Sequence, residues 1–140
     1  SERTRNRVGN QLRIITELES MTDECLSIAF ILKKKRSKRL EFEAGAFEAL
    51  KPFSALVDEF LTFVSDKLNI GMTEIELGQA SEMEDKIDAI KKNLKKMARN
   101  RISGGADVKA ELLYIDLIRH VEKIGDCSYA IAEELRSFVR

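Results

Sequence analysis

Apolar residues recur along most of the chain at alternating intervals of three and four positions, which places them on one face of an α-helix. The first two stripes comprise Ile14, Leu18, Met21, Cys25, Ile28 and Leu32, then Ala46, Leu50, Phe53, Val57, Phe60 and Val64. The last two comprise Ala80, Met83, Ile87, Ile90, Leu94 and Met97, then Tyr114, Leu117, Val121, Ile124, Ser128, Ile131, Leu135 and Phe138. The pattern therefore predicts four long amphipathic helices.

The ends of the first two helices follow from residues that interrupt the stripes. The first helix is predicted over 2–38 and the second over 43–69, with 39–44 either a loop or a bent helix. Pro52 lies within the second stripe, and because the stripe keeps its phase we expect a kink there rather than an end. Gly71 is expected to adopt a left-handed conformation that closes the second helix.

The third and fourth helices carry clearer start signals. Thr73 followed by Glu76 forms a capping box, which opens the third helix. The run Ser103-Gly104-Gly105 ends that helix, and Asp107 is placed to cap the fourth. Long helices joined by short connections pack as antiparallel neighbours, so the expected fold is all-α, an elongated antiparallel up-and-down bundle of about four helices.

Composition agrees with one such domain. The 140 residues are 44% hydrophobic and 34% charged, with one Pro and no Trp, which suits a helical bundle with a charged exterior. Cys25 and Cys127 form no CxxC pair and are expected to be reduced thiols. No apolar run approaches the roughly 20 residues that a membrane-spanning helix needs, and no signal peptide is visible.

The balance of charge argues against general nucleic-acid binding, because 24 basic and 24 acidic residues cancel. The one concentrated basic run comprises Lys33, Lys34, Lys35, Arg36, Lys38 and Arg39. It is either a solvated helix end, where cations suit the helix dipole, or a contact with anionic lipid headgroups.

An internal repeat relates the first helix to the fourth at an offset of 103 residues. Identical pairs include Ile15 with Ile118, Glu19 with Glu122, Asp23 with Asp126, Ile28 with Ile131, and Ala29 with Ala132. The repeat predicts that residues 1–38 are the last helix of a preceding unit and that residues 43–140 form a complete three-helix unit of a single domain.

Three of the four helices carry Glu-x-x-x-Asp, whose carboxylates share one helix face. The pairs are Glu19 with Asp23, Glu84 with Asp88, and Glu122 with Asp126. Their repulsion could be offset by Arg119 or by a bound metal, because carboxylates are ligands for iron, manganese, calcium and magnesium. Helical geometry places Glu122 and Asp126 on the outward side of the fourth helix. A solvated charged face and a surface metal site both remain open.

Catalytic arrangements are missing from the sequence. His120 is the single histidine, and no Glu-x-x-His motif accompanies it, which excludes a ferritin-like oxidase. No nucleophile with a base, and no phosphate-binding Gly-rich loop, can be assembled. We therefore expect a protein that is not an enzyme.

The fourth helix resembles the signature of the PhoU family, an arginine followed by Glu-Arg-Ile-Gly-Asp and then Asn-Ile-Ala-Glu. The matching residues are Arg119, Glu122, Ile124, Gly125, Asp126, Ile131, Ala132 and Glu133, whereas Cys127 stands where the family usually has His. The resemblance implies paired three-helix bundles with metal on their surface. Glu84, Asp88, Glu122 and Asp126 would then line one cluster of iron, manganese or zinc, and Glu19 and Asp23 would belong to another.

PhoU-like units occur as freestanding regulators of phosphate uptake and as cytoplasmic C-terminal domains of bacterial sodium/phosphate cotransporters. Because the chain begins inside a repeat and is short, it is more similar to the second group. The resemblance implies that the domain lies on the cytoplasmic side of the inner membrane, with the transporter's membrane domain as its partner and a homodimer as a further arrangement. The alternatives are a freestanding regulator and a purely structural or oligomerisation bundle.

Overall fold

Four α-helices make up almost all of residues 1–138, the part of the chain that the computed structural model describes. They are α1 (Glu2–Ser37), α2 (Ala44–Ser65), α3 (Glu74–Ser103) and α4 (Val108–Arg136). No strand occurs within these residues, so the predicted all-α bundle is confirmed. At about 1.5 Å per residue, α1 and α3 are each on the order of 50 Å long.

Helix α4 is the centre of the bundle. It packs against the other three helices, and α2 also packs against α3, whereas α1 contacts only α4 among the described helices. Ion pairs give the directions: Arg13 near the start of α1 meets Glu134 near the end of α4, and Arg101 near the end of α3 meets Glu111 near the start of α4. Both α1 and α3 therefore run antiparallel to α4.

The main core lies between α2, α3 and α4 and also includes Ile14 and Met21 of α1. Its largest fully buried side chains include Phe53, Phe60, Tyr114, Ile118 and Leu135. Each such side chain contributes about 1.5–3 kcal/mol relative to exposure. The one polar group among these five, the Tyr114 hydroxyl, donates a hydrogen bond to the Ala46 carbonyl at 2.9 Å.

The connection between α1 and α2, which the sequence left as either a loop or a bent helix, is a turn followed by a short loop. Arg39 adopts φ 54°, a left-handed conformation uncommon outside glycine. The Arg39 N–H donates to the Arg36 carbonyl and the Leu40 N–H to the Lys35 carbonyl, at 3.2 and 2.9 Å. These two bonds form a Schellman motif, which satisfies carbonyls at the end of α1.

Helix α2 ends earlier than predicted, at Ser65 rather than residue 69. Turns occupy residues 66–70, Gly71 has the expected positive φ of 81°, and the Met72 N–H donates to the Leu135 carbonyl at 3.1 Å. Ending α2 early lets the chain bring the fully buried Met72 into the core. The helix passes through Pro52 without a break, and the Thr73 capping box and the Asp107 cap are both present.

The apolar stripe predicted for α1 is only partly the buried one. Ile14 and Met21 are buried against α4, but Leu18, Cys25 and Leu32 are exposed. Leu18, Cys25 and Met21 border an open apolar groove between α1 and α2. Helix α1 therefore has two apolar sides. Among the described helices, one side packs against α4, whereas the other faces α2 across the open groove.

The side of α1 that contacts α4 is also more polar than predicted. It carries Glu17 and Glu24 at positions next to the expected Leu18 and Cys25. Glu24 bonds to His120 Nδ1 and approaches Lys123 Nζ at 3.8 Å. Ion pairing therefore helps to attach α1 to α4. Among residues 1–138, no helix has a stretch long and apolar enough to cross a bilayer.

Candidate functional site

An acidic cleft of about 250 Å³ lies between α3 and α4. Because these helices are antiparallel, their two Glu-x-x-x-Asp motifs meet in the middle of the bundle. The residues lining the cleft, which we call the acidic cleft throughout, are Glu84, Asp85, Ile87, Asp88, Glu122, Gly125 and Asp126. Four of the six residues predicted from sequence as metal ligands are thus brought together.

Gly125 leaves space in the acidic cleft where α4 faces α3, because glycine has no side chain. It is buried, and a Cβ atom added there would lie 3.5 Å from Ile87 Cδ1, an ordinary contact distance. Alanine would therefore fit, but a longer side chain would occupy the space between the acidic pairs. The glycine of the Ile-Gly-Asp stretch thus gives the cleft its open space and is not required by an unusual backbone conformation.

A lysine from α3 neutralises part of the acidic cleft. Lys91 Nζ lies 2.7 Å from Asp88 Oδ1 and 2.8 Å from Glu122 Oε1, joining the two motifs across the helix interface. Its side chain is only 17% exposed, so this charge is held inside the interface. Lys92 adds a bond to Asp88 Oδ2 from the solvent side, at 3.0 Å.

Arg119, which sequence spacing offered as the counter-ion for Glu122, does not have that role. Its guanidinium bonds to Asp116 instead, with Nε 3.1 Å from Oδ1. On a helix, Arg119 can pair with the residue three positions before it, Asp116, or three positions after it, Glu122. Here Asp116 has the suitable geometry. The expectation that Arg119 offsets the Glu122–Asp126 repulsion is therefore wrong, because Lys91 of α3 holds Glu122.

The carboxyl groups of the acidic cleft differ in their proton affinity. Burial raises the pKa of Glu84, and the negative charge of Asp126 raises it further. Burial also raises the pKa of Asp126, with Glu122 as the next cause. Hydrogen bonds from Lys91 and Lys92 lower the pKa of Asp88. Of these three carboxyl groups, Asp88 is therefore well compensated, whereas Glu84 and Asp126 lack enough positive charge.

Such a cleft can attract a cation. Glu84 and Asp126 have no ion pair within the described residues, and their raised pKa values show that a further positive charge would stabilise their ionised forms. Carboxylate oxygens suit Mn²⁺, Fe²⁺, Mg²⁺ and Ca²⁺. Within residues 1–138, however, no three His, Cys, Asp or Glu side chains are already arranged around a metal position. A metal would require some of the cleft side chains to turn, and it would compete with Lys91.

The remaining predicted pair, Glu19 and Asp23, is not part of the acidic cleft. Both residues are exposed on α1, which has no contact with α3 among the described helices. Their assignment to a second metal cluster stays a prediction. The residues that sequence reasoning missed are Asp85 and Lys91. Lys91 follows Asp88 by three positions, which is pairing distance, but its bond to Glu122 depends on how α3 and α4 pack.

The pKa shifts predict opposite effects of two substitutions on stability. Glu84 and Asp126 bind a proton more tightly when folded, so their ionisation destabilises the fold as pH rises above the ordinary carboxyl pKa. We expect Glu84→Gln with Asp126→Asn to raise the free energy of unfolding at pH 7 by a few tenths of a kcal/mol. That gain should vanish once both carboxyls are protonated in the folded and unfolded states, below about pH 3.

Asp88→Asn is the matched comparison. Because the pKa of Asp88 is lowered by its lysine partners, its charge stabilises the fold at neutral pH and this contribution is lost as pH falls through the lowered pKa. The variant should be less stable than the parent at pH 7 and equal to it in acid. Urea unfolding at several pH values measures both effects, and equal responses of the two variants would contradict the assigned shifts.

Comparison of the chain with protein-family models, with curated proteins and with solved structures gives no match.

Proposed function

We propose that the chain is a regulatory, non-enzymatic domain of a sodium-dependent phosphate cotransporter, on the cytoplasmic side of the bacterial inner membrane. The observation that carries the proposal is the acidic cleft, in which the Glu122-Lys123-Ile124-Gly125-Asp126 stretch of α4 meets the second acidic pair of α3. That stretch is the part of the chain that resembles PhoU domains, so the resemblance and the acidic cleft coincide. Phosphate status would reach the transporter through changes in helix packing.

The surface of α1 supports a second part of the proposal, namely that α1 belongs to a preceding three-helix unit. Ile118 and Ala132 of α4 are fully buried, whereas the residues equivalent to them in the repeat, Ile15 and Ala29, are exposed. Among the described helices, α4 has neighbours on several sides, whereas α1 packs against α4 alone. An exposed apolar side on a helix is typical of a contact surface. The preceding unit would cover it, and a second copy of the chain in a homodimer is the alternative occupant.

The acidic cleft gives the proposed domain a means of responding to a ligand. Binding of iron, manganese or zinc would neutralise Glu84 and Asp126 and draw Glu122 away from Lys91. Because Lys91 joins α3 to α4 through Asp88 and Glu122, the cleft is coupled to the packing of these two helices. Regulation then follows from the difference in packing between the metal-bound and metal-free states.

The test replaces residues of the cleft in the full-length protein in its own bacterium. Glu122→Gln with Asp126→Asn should change the dependence of sodium-driven phosphate uptake on phosphate supply, measured with radiolabelled phosphate in starved and replete cells. The matched control is Asp58→Asn with Glu59→Gln, an exposed acidic pair on α2. A change only in sodium-independent uptake would favour the freestanding regulator. Unaltered uptake of both kinds would leave a structural bundle and overturn the proposal.

A further inference from the structure

The zero net charge of the chain conceals a separation of charge along the bundle. In α3 the acidic residues lie between Glu74 and Asp88, whereas the stretch from Lys91 to Ser103 contains six cations and no carboxylate. Residues 33–39, which form the end of α1 and the turn after it, are also free of carboxylates. Since α1 and α3 both run antiparallel to α4, their basic ends lie at the same end of the molecule, together with the start of α4.

The carboxylates at that end are already engaged. Ion pairs join Glu41 to Lys35, Glu43 and Glu111 to Arg101, Glu48 to Lys51, and Asp116 to Arg119. Asp107 caps α4. The cations left without an ion pair among the described residues are Lys33, Lys34, Arg36, Lys38, Arg39, Lys95, Lys96, Arg99 and Lys109.

We call the group formed by Lys33, Lys34, Arg36, Lys38, Arg39 and Lys109 the basic end. Its members come from α1, the Schellman turn and the first turn of α4, so they converge by folding and do not simply follow one another in sequence. Lys34, Lys38 and Lys109 border the same cleft of about 450 Å³. Positive potential is therefore concentrated on one surface, where charges of one sign reinforce each other.

Large apolar side chains are exposed among these cations. Leu112 is 56% exposed and Phe47 51% exposed, and Val108 also lies on this end of the bundle. Leu112 borders the cleft of Lys34, Lys38 and Lys109, and Phe47 borders a second cleft next to Arg36 and Arg39. Exposed leucine, valine and phenylalanine beside unpaired lysines and arginines are the composition of a surface that lies in a lipid headgroup region.

We propose that the basic end binds the surface of an anionic lipid bilayer, with its cations on headgroup phosphates and its exposed apolar side chains at the boundary with the acyl chains. Nucleic acid would satisfy the cations but would leave Leu112, Val108 and Phe47 in water, so the combination favours lipid. The inference rests on the charge distribution and does not depend on the phosphate-transport role or on the acidic cleft. It orients the bundle with the basic end towards the membrane.

Co-sedimentation with vesicles tests this proposal with the protein as it is. The chain should bind vesicles of phosphatidylcholine with about 30 mol% phosphatidylglycerol and not vesicles of phosphatidylcholine alone. Raising NaCl to about 0.5 M should release it, because salt screens surface charge. Lys34→Gln, Lys38→Gln and Lys109→Gln together should lower the partition coefficient about a hundredfold, since each cation near the surface contributes a factor of roughly five.

The matched control removes the same charge from outside the basic end, by Arg3→Gln, Arg5→Gln and Lys86→Gln, all exposed. It should bind the anionic vesicles as the parent chain does. Circular dichroism shows whether both variants are folded. If one is not, the salt dependence of vesicle binding by the parent chain still tests the proposal. Equal binding to neutral vesicles, equal loss in both variants, or tighter binding to a short DNA duplex than to anionic vesicles would each overturn the proposal.

Discussion

Replacement of Glu111 with alanine should lower the free energy of unfolding by about 3 kcal/mol, the cost of breaking a buried ion pair. Glu111 is 3% exposed and accepts two hydrogen bonds from Arg101, at 2.8 Å from Nε and 2.9 Å from Nη2. Arg101 also stacks over the Tyr114 ring, with its guanidinium carbon 5.0 Å from the ring centroid. Loss of the carboxylate would leave a cation without its main partner beside the core.

Urea unfolding followed by circular dichroism measures this effect, with Glu48→Ala as the control. Glu48 pairs with Lys51 at 3.0 Å, but both side chains are 64% exposed, and such pairs contribute less than about 1 kcal/mol. Arg101→Met combined with Glu111→Met should recover part of the lost stability, because it removes both charges. A loss below about 1 kcal/mol for Glu111→Ala would show that water solvates Arg101 in the folded chain.

Replacement of Lys91 with alanine should tighten binding of Mn²⁺ at the acidic cleft about tenfold or more. The ammonium group lies within bonding distance of Asp88 and Glu122, so an incoming divalent ion meets a positive charge that is already in place. Two unit charges about 4 Å apart interact by a few kcal/mol at a protein surface, and about 1.4 kcal/mol of that is enough for a tenfold change. Isothermal titration calorimetry measures the dissociation constants.

Lys92→Ala is the control, because Lys92 contacts the same aspartate but is 72% exposed. Its effect on Mn²⁺ binding should be small, since solvent screens an exposed charge. Glu122→Gln with Asp126→Asn should abolish binding in the Lys91→Ala background. If Lys91→Ala binds Mn²⁺ no better than the parent chain, or if binding survives loss of Glu122 and Asp126, the acidic cleft is not a metal site.

The two charged surfaces have different relations to the sequence. The acidic pairs were predicted from spacing, because residues four apart on a helix always share a face. Their meeting in one cleft required α3 and α4 to be antiparallel neighbours at a particular register. The lysine run of α1 was equally visible in the sequence. That Lys34, Lys38 and Lys109 have no carboxylate partner within residues 1–138 depends on the ion pairs formed around them in the folded structure.

Local chemistry determined where most helices begin and end. The Thr73–Glu76 capping box, the Asp107 cap and the positive φ of Gly71 were all predicted, since each depends on residues within one turn of the chain. The stripe of α2 was also correct, with Phe53, Val57, Phe60 and Val64 buried. In α2 the predicted stripe is the side that packs into the core, so its periodicity and its burial agree.

Tertiary structure decided what periodicity could not. Helix α1 has two apolar sides, and only the position of α4 selected the side with Ile14, Met21 and Ile31 while leaving Leu18 exposed. Likewise, the burial of Glu111 and the bond between Lys91 and Glu122 arise from side chains on different helices. A sequence specifies which residues share a face of one helix, because that depends on a fixed rotation per residue. Which faces then meet depends on the packing of the whole bundle, where distant residues compete for the same neighbours.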